Sequence, residues 1–301
     1  MKKNAVTGAF SYSGKYITRR LLARGEEVIT LTGHPDRPDP FAGKVKAYPL
    51  DFDTEALTRS LQGVDTLYNT YWIRFDKGTN TQPLAVTNTH ILVQAAKAAG
   101  VRRFVHVSIT NPDRDSSLPY FSGKAANEDA IMNSGMSYAI LRPTVLFGSE
   151  DILINNLAWI LRRFPFFVQM GNGRYRLQPV FVDDLAALAV ESGALEENLV
   201  WDAVGPEIFS FDELVRMVGK SIGHKRPILH LPPFVALTAA RLISLLVRDI
   251  VLTADEVEGL MADLLVSDAA ARGSTRLTEW LYENRATIGM KYASELARHF
   301  R

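Results

Sequence analysis

Val6-Thr7-Gly8-Ala9-Phe10-Ser11-Tyr12-Ser13-Gly14 joins a short β-rich run, Asn4–Thr7, to an amphipathic stretch, Gly14–Ala23. A strand, a glycine turn and a helix in that order supply the context that a dinucleotide fingerprint requires. Gly8 permits the tight turn, and Gly14 lets the helix lie close to the sheet. The helix start near Ser11 offers N–H groups and a positive dipole end to a pyrophosphate. Ser11 itself stands where the fingerprint has its middle glycine, so a Cβ narrows the space while a hydroxyl offers a hydrogen bond.

Outward from this turn, β-rich runs alternate with helical patterns. Strands are predicted at Asn4–Thr7, Glu27–Thr32, Val45–Pro49, Thr66–Asn69, Arg103–Ser108 and Ser137–Leu141, and helices at Gly14–Ala23, Thr54–Leu61, Gln82–Ala99 and Lys124–Asn133. The rhythm predicts an α/β fold with a doubly wound parallel Rossmann sheet over residues 1–150, to which 178–204 return. Residues 151–301 read as a smaller, mainly helical unit interleaved with the first. There Ser210 with Glu213 and Thr253 with Glu256 form capping-box patterns, 227–233 carries a strand, and Lys291–Phe300 is an amphipathic run.

Composition narrows the function classes. Thirty-four basic against thirty-three acidic residues leave a net charge of +1, which provides no global field for nucleic acid. The absence of cysteine excludes disulfides, thiolate nucleophiles and cysteine metal sites, and fits a reducing cytoplasm. The six histidines, His34, His90, His106, His224, His230 and His299, include no i,i+4 pair, so no metal is expected. Phe234–Val247, interrupted by Arg241 and followed by Arg248, is too short and too charged to span a bilayer. It reads as a buried helix, with a membrane-surface or partner-binding helix as the alternative.

Further motifs follow in order. Asp51-Phe52 comes after the third strand, Asn69-Thr70-Tyr71 ends the fourth, and Asn88 lies in the next helix. Ser108 and Thr110 follow the fifth strand, then Tyr120-Phe121-Ser122-Gly123-Lys124, and Leu141-Arg142-Pro143-Thr144 closes the sixth. This succession resembles the extended and atypical short-chain dehydrogenase/reductases over roughly Asn4 to Gly148 and again over Gln178 to Leu188. The resemblance implies an NAD(P) cofactor held at Gly8, Phe10, Ser11, Tyr12, Ser13 and Gly14, with Asp51 and Phe52 beside the adenine and Asn69, Thr70 and Tyr71 against its ribose. It further assigns Lys124 to the nicotinamide ribose and counts Pro143, Thr144 and Val145 among the cofactor-binding residues. Asp51 also reads as a helix cap and Asn88 as a buried hydrogen-bonding residue; Asp183 and Asp184 read as caps.

A tyrosine and a lysine four apart share one helix face, and a cation beside a phenol favours the phenolate, which suits Tyr120 to general acid/base work. Thr110, with Ser108 as second choice, would set a hydroxyl against a substrate oxygen. After the second strand neither Thr32 nor Gly33 is acidic, while His34 and Arg37 suit a 2′-phosphate, so NADP is favoured and Asp36 keeps NAD open. The leading expectation is an NAD(P)-dependent oxidoreductase acting on a small carbonyl or alcohol, ahead of an epimerase. The alternative is a noncatalytic nucleotide-binding protein that senses redox state or supports an assembly, as atypical relatives do, among them the NmrA-like regulators and the complex I accessory subunit.

Overall fold

The computed structural model describes residues 2–250 and 252–296. The chain runs through β1 (Lys3–Thr7), α1 (Tyr12–Ala23), β2 (Glu27–Thr32), β3 (Val45–Pro49), α2 (Thr54–Ser60), β4 (Thr66–Asn69), α3 (Gln82–Ala98), β5 (Arg103–Val107), α4 (Pro119–Met132) and β6 (Ser137–Pro143). Next come β7 (Leu146–Phe147), α5 (Leu153–Arg163), β8 (Phe167–Met170), β9 (Arg176–Leu177) and β10 (Val180–Phe181). It continues through α6 (Val182–Ala194), β11 (Leu199–Ala203), β12 (Phe209–Ser210), α7 (Phe211–Ser221), β13 (Ile228–Leu231), α8 (Pro233–Val247), α9 (Ala254–Met261) and α10 (Leu277–Asn284). The amphipathic run expected over 291–300 lies in part outside the described residues.

Two compact units result, Met1–Pro143 with Val182–Ala203, and Thr144–Phe181 with Val204–Arg301. The division falls after Pro143 where the sequence suggested 150. Beyond Pro143 the backbone turns to partners in the second unit, the Thr144 hydroxyl to the Gln178 carbonyl and the Val145 carbonyl to the Val180 N–H.

In the first unit seven strands form one sheet in the order β11-β6-β5-β4-β1-β2-β3, all neighbours parallel. Parallel strands covered on both faces need continuous apolar runs, and Val28-Ile29-Thr30-Leu31 in β2 is buried throughout. Ala5, Ile29, Leu67, Phe104 and Ile140 of the sheet pack with Leu57 of α2, Leu92 and Ala96 of α3 and Ile131 of α4, while α1 pairs with α6. The chain leaves β1 toward β2 on one side and later fills β4 on the other, so the carboxyl ends of β1 and β4 flank the topological switch point where such sheets bind ligands.

Helix α4 starts at Pro119 rather than Lys124. Proline loses nothing in a first turn, where its missing N–H has no helical partner and its φ is already set. Tyr120 therefore lies in the first turn and Lys124 one turn later.

The returning segment is tied by Arg103, whose side chain is fully buried. Its guanidinium donates to the carbonyls of Ser192, Glu196 and Glu197 and to Ser137 Oγ at 2.6–3.3 Å. Arg103→Met is expected to lower the unfolding free energy by about 3 kcal/mol, because carbonyls facing a charged donor lose it. A urea midpoint within error of the parent would show that the loop before β11 is held by other contacts.

The second unit has its own core, with the rings of Phe147, Phe181 and Trp280 in mutual contact beside Leu157, Phe211 and Leu281. Both capping boxes form, Ser210 with Glu213 on α7 and Thr253 with Glu256 on α9. Helix α8 has no buried side chain among its described residues, and Phe234 and Leu245 are 71% and 75% exposed. Among the described residues no helix is long and apolar enough to cross a membrane.

Candidate nucleotide-binding site

The turn after β1 is built on two glycines. Gly8 adopts φ +67°, a left-handed conformation open to glycine, and its N–H bonds the Leu31 carbonyl at 2.9 Å while its own carbonyl accepts from Ser11 N–H at 2.8 Å. A Cβ on Gly14 would lie 2.3 Å from that Gly8 carbonyl oxygen, so only glycine lets α1 begin this close to the strand. Ser11 is the N-cap of α1 and its side chain makes no capping bond, so its hydroxyl does not occupy the first-turn N–H groups. Phe10, Ser11, Tyr12 and Ser13 are all partly exposed along this cradle.

Thr7, which sequence reasoning passed over, couples the turn to β4. Its hydroxyl donates to Asn69 Oδ1 at 3.1 Å and accepts the Thr70 N–H at 2.7 Å, while Thr70 Oγ1 donates to the Thr7 carbonyl at 2.6 Å. The Asn69 oxygen also accepts from Tyr71 N–H, which fixes the amide so that its nitrogen faces His106 Nδ1 at 3.1 Å. Asn88 donates to the Tyr71 hydroxyl at 2.9 Å, a direct tie between α3 and the end of β4. Phe52, at φ +58°, sets its ring 4.8 Å from that of Tyr71. Asp51 is exposed and accepts from Asp53 N–H; the cap of α2 is Asp53. Beyond β2, Gly33 faces open space, His34 is exposed and Arg37 is partly buried.

The remaining polar groups gather at the carboxyl end of β5. Ser108 is buried and its Oγ has no hydrogen-bond partner. Thr110, the hydroxyl favoured from sequence, is fully buried and donates to the Arg142 carbonyl at 3.1 Å, while its N–H bonds the Pro143 carbonyl. The free hydroxyl is therefore that of Ser108. Lys124 is 2% exposed and donates to the Val107 carbonyl at 2.9 Å, and burial pushes its ammonium down to about 7. Burial and the neighbouring Lys124 hold His106 well below the usual histidine range, and its Nε2 is buried without a partner. The side chain of Asn127, one turn beyond Lys124, is likewise buried with neither amide atom paired.

Trp72 closes this end. Its ring lies 4.8 Å from the Lys124 nitrogen and edge-on to Tyr120 at 5.8 Å and 85°. Asp183 accepts from Arg20 through both oxygens at 2.8 Å, joining α6 to α1. Thr144 and Val145 belong to the second unit. Among the described residues no grouping of acidic or histidine side chains suits a metal.

A glycine-cradled helix start at the switch point of a parallel sheet defines a dinucleotide-binding domain, and residues 8–153 match the family described as NAD(P)H-binding. The match covers just under half of the chain, and the fold is consistent with the extended short-chain dehydrogenase/reductases. The chain is similar to the mitochondrial NADH dehydrogenase [ubiquinone] 1 alpha subcomplex subunit 9 of Arabidopsis thaliana, at 24% identity over 89% of this chain and 71% of the relative. Its fold is shared with a nucleoside-diphosphate-sugar epimerase from Staphylococcus aureus, TM-score 0.74, 17% identity, covering 94% of this chain and 100% of the other. It is shared also with an NADPH-dependent quinone oxidoreductase from Escherichia coli complexed with NADPH, TM-score 0.73, 23% identity, covering 94% and 98%.

Proposed function

We propose that the chain is an NADP-dependent oxidoreductase of the short-chain dehydrogenase/reductase type acting on a small carbonyl or alcohol. The observation that carries this reading is the placement of Ser108, Tyr120 and Lys124 at the carboxyl end of β5 and the first turns of α4, with the Ser108 hydroxyl unpartnered. The chain's own geometry fits the cofactor, since glycine at 14 lets α1 start directly against the Gly8 turn, where its first-turn N–H groups can meet a pyrophosphate. Gly8, Ser11 and Gly14 would hold the pyrophosphate, Phe52 and Tyr71 the adenosine, and Lys124 the nicotinamide ribose. When bound, the nicotinamide supplies the hydride chemistry. Ser108 would hydrogen-bond the substrate oxygen, Tyr120 would give or take the proton there, and Lys124 would orient the tyrosine. The lack of cysteine suits work in a reducing cytoplasm.

The 2′-phosphate is the part of NADP that Arg37 and His34, after β2, would meet. NADPH is expected to bind about tenfold or more tightly than NADH, with the preference reduced in Arg37→Ala as a charge-assisted bond is lost. Calorimetric titration of both nucleotides checks it, and equal affinities in the parent would return the choice to Asp36.

A second reading, a noncatalytic nucleotide-binding subunit with a protein partner, is favoured by the indole lying on Lys124 and by the relative from Arabidopsis being named as a subunit of NADH dehydrogenase. Retained nucleotide with no hydride transfer across a broad panel of carbonyls, quinones included, would select it.

A further inference from the structure

Four features of Trp72 converge. Its ring sits on the Lys124 ammonium at 4.8 Å and meets the Tyr120 ring edge-on. It occupies a notch that exists because residue 123 is glycine: a Cβ there would fall 2.8 Å from Trp72 Cη2 and 3.3 Å from Cζ2. Its Nε1 is buried with no hydrogen-bond partner, so ring contacts hold the indole in place and no polar anchor does. Finally, Lys124 beneath it keeps a protein partner, the Val107 carbonyl, and is only 2% exposed.

A lysine that is to bond a ribose must show an N–H to the ligand, and here the indole lies over an ammonium that the Val107 carbonyl already holds. The glycine cradle and Gly33 follow β1 and β2, and Phe52 packs on the Tyr71 ring. We propose that Trp72 is a displaceable cover over Lys124, so that the adenosine half of the nucleotide binds without rearrangement while the nicotinamide-ribose half binds only when the indole has swung away. The inference rests on the nucleotide-binding reading and adds to it the residue that governs access to the reactive end. Displacement restores water to the indole N–H, which offsets the lost ring contacts. The lowered charge affinity of Lys124 is what such a cover produces, since a sealed ammonium is a desolvated one.

A closed cover reduces apparent affinity by the fraction of molecules that are open. The test compares the parent, Trp72→Ala and Gly123→Ala by calorimetry with NADPH, with 2′,5′-ADP and with 5′-AMP. Gly123→Ala removes the notch and leaves the indole, and alanine suits a helix better than glycine, so the second variant guards against loss of fold in the first. Both variants should bind NADPH about tenfold or more tightly than the parent, with 2′,5′-ADP changed by less than about threefold. If NADPH binding is unchanged or weaker in both while 2′,5′-ADP binds as in the parent, Trp72 is a fixed wall of the site and the proposal is overturned. If neither 2′,5′-ADP nor 5′-AMP binds to any of the three, the nucleotide reading fails and the cover fails with it.

Discussion

Gly14→Val should abolish nucleotide binding, lowering affinity by about 100-fold or more. The nearest atom to a Cβ at this position is the Gly8 carbonyl oxygen, at 2.3 Å, which is backbone and cannot rotate aside. The collision has to be relieved by moving α1 away from β1, and that motion breaks both parts of the cradle. The N–H groups of the first turn withdraw, and Gly8 loses the geometry in which its carbonyl accepts from Ser11. A valine adds branching to the collision, so stability should fall as well, by about 2–4 kcal/mol. A thermal melt and a titration on the same sample separate the two effects. A folded variant that bound nucleotide as the parent does would remove the turn from the site.

Tyr120→Phe should lower turnover by about 10²–10⁴-fold and leave nucleotide affinity nearly unchanged, because it deletes only the hydroxyl that handles the proton. The ring remains, with its edge-on contact to Trp72 and its contact to Phe121 at 5.8 Å, so the surrounding packing has no reason to shift. Lys124→Ala is the counterpart and should damage both quantities. The ammonium has a bond to the Val107 carbonyl, a ring contact with Trp72 and a proposed bond to the ribose, and alanine removes all three. This asymmetry is what a working pair predicts and a chance spacing on a helix does not. Measuring hydride transfer and cofactor affinity on each variant decides it; a Tyr120→Phe protein as fast as the parent would place the proton donor elsewhere.

The sheet was legible because its strands are short runs rich in apolar and β-branched residues, and Glu27–Thr32, Val45–Pro49 and Thr66–Asn69 match the observed spans end for end. The start of α4 was not. Pro119 reads as a breaker in a linear pattern, and only its position at the first turn makes it a helix former. The choice between Thr110 and Ser108 depends on which hydroxyl finds a carbonyl, and the Arg142 carbonyl that captures Thr110 comes from a strand over thirty residues later. Thr7 and His106 were missed for the same reason, since each acts through Asn69, a partner brought close by the fold, and the notch at Gly123 that takes the Trp72 indole exists only in three dimensions. The one available sign was the glycine between Ser122 and Lys124, unexpected inside a helix and meaningful only when something must pass close by.

The order in which the first unit receives its strands bears on how it is made. Strand β6 pairs on one side with β5 and on the other with β11, yet the residues between Pro143 and Val182 belong to the second unit. As the chain leaves the ribosome, β6 is therefore an open edge, able to pair with a neighbouring nascent chain, until Leu199–Ala203 emerges. Over the same interval the Arg103 guanidinium lacks three of the carbonyls that later surround it. Pairing of β11 with β6 thus adds the last strand to a sheet whose other strands all come earlier in the chain.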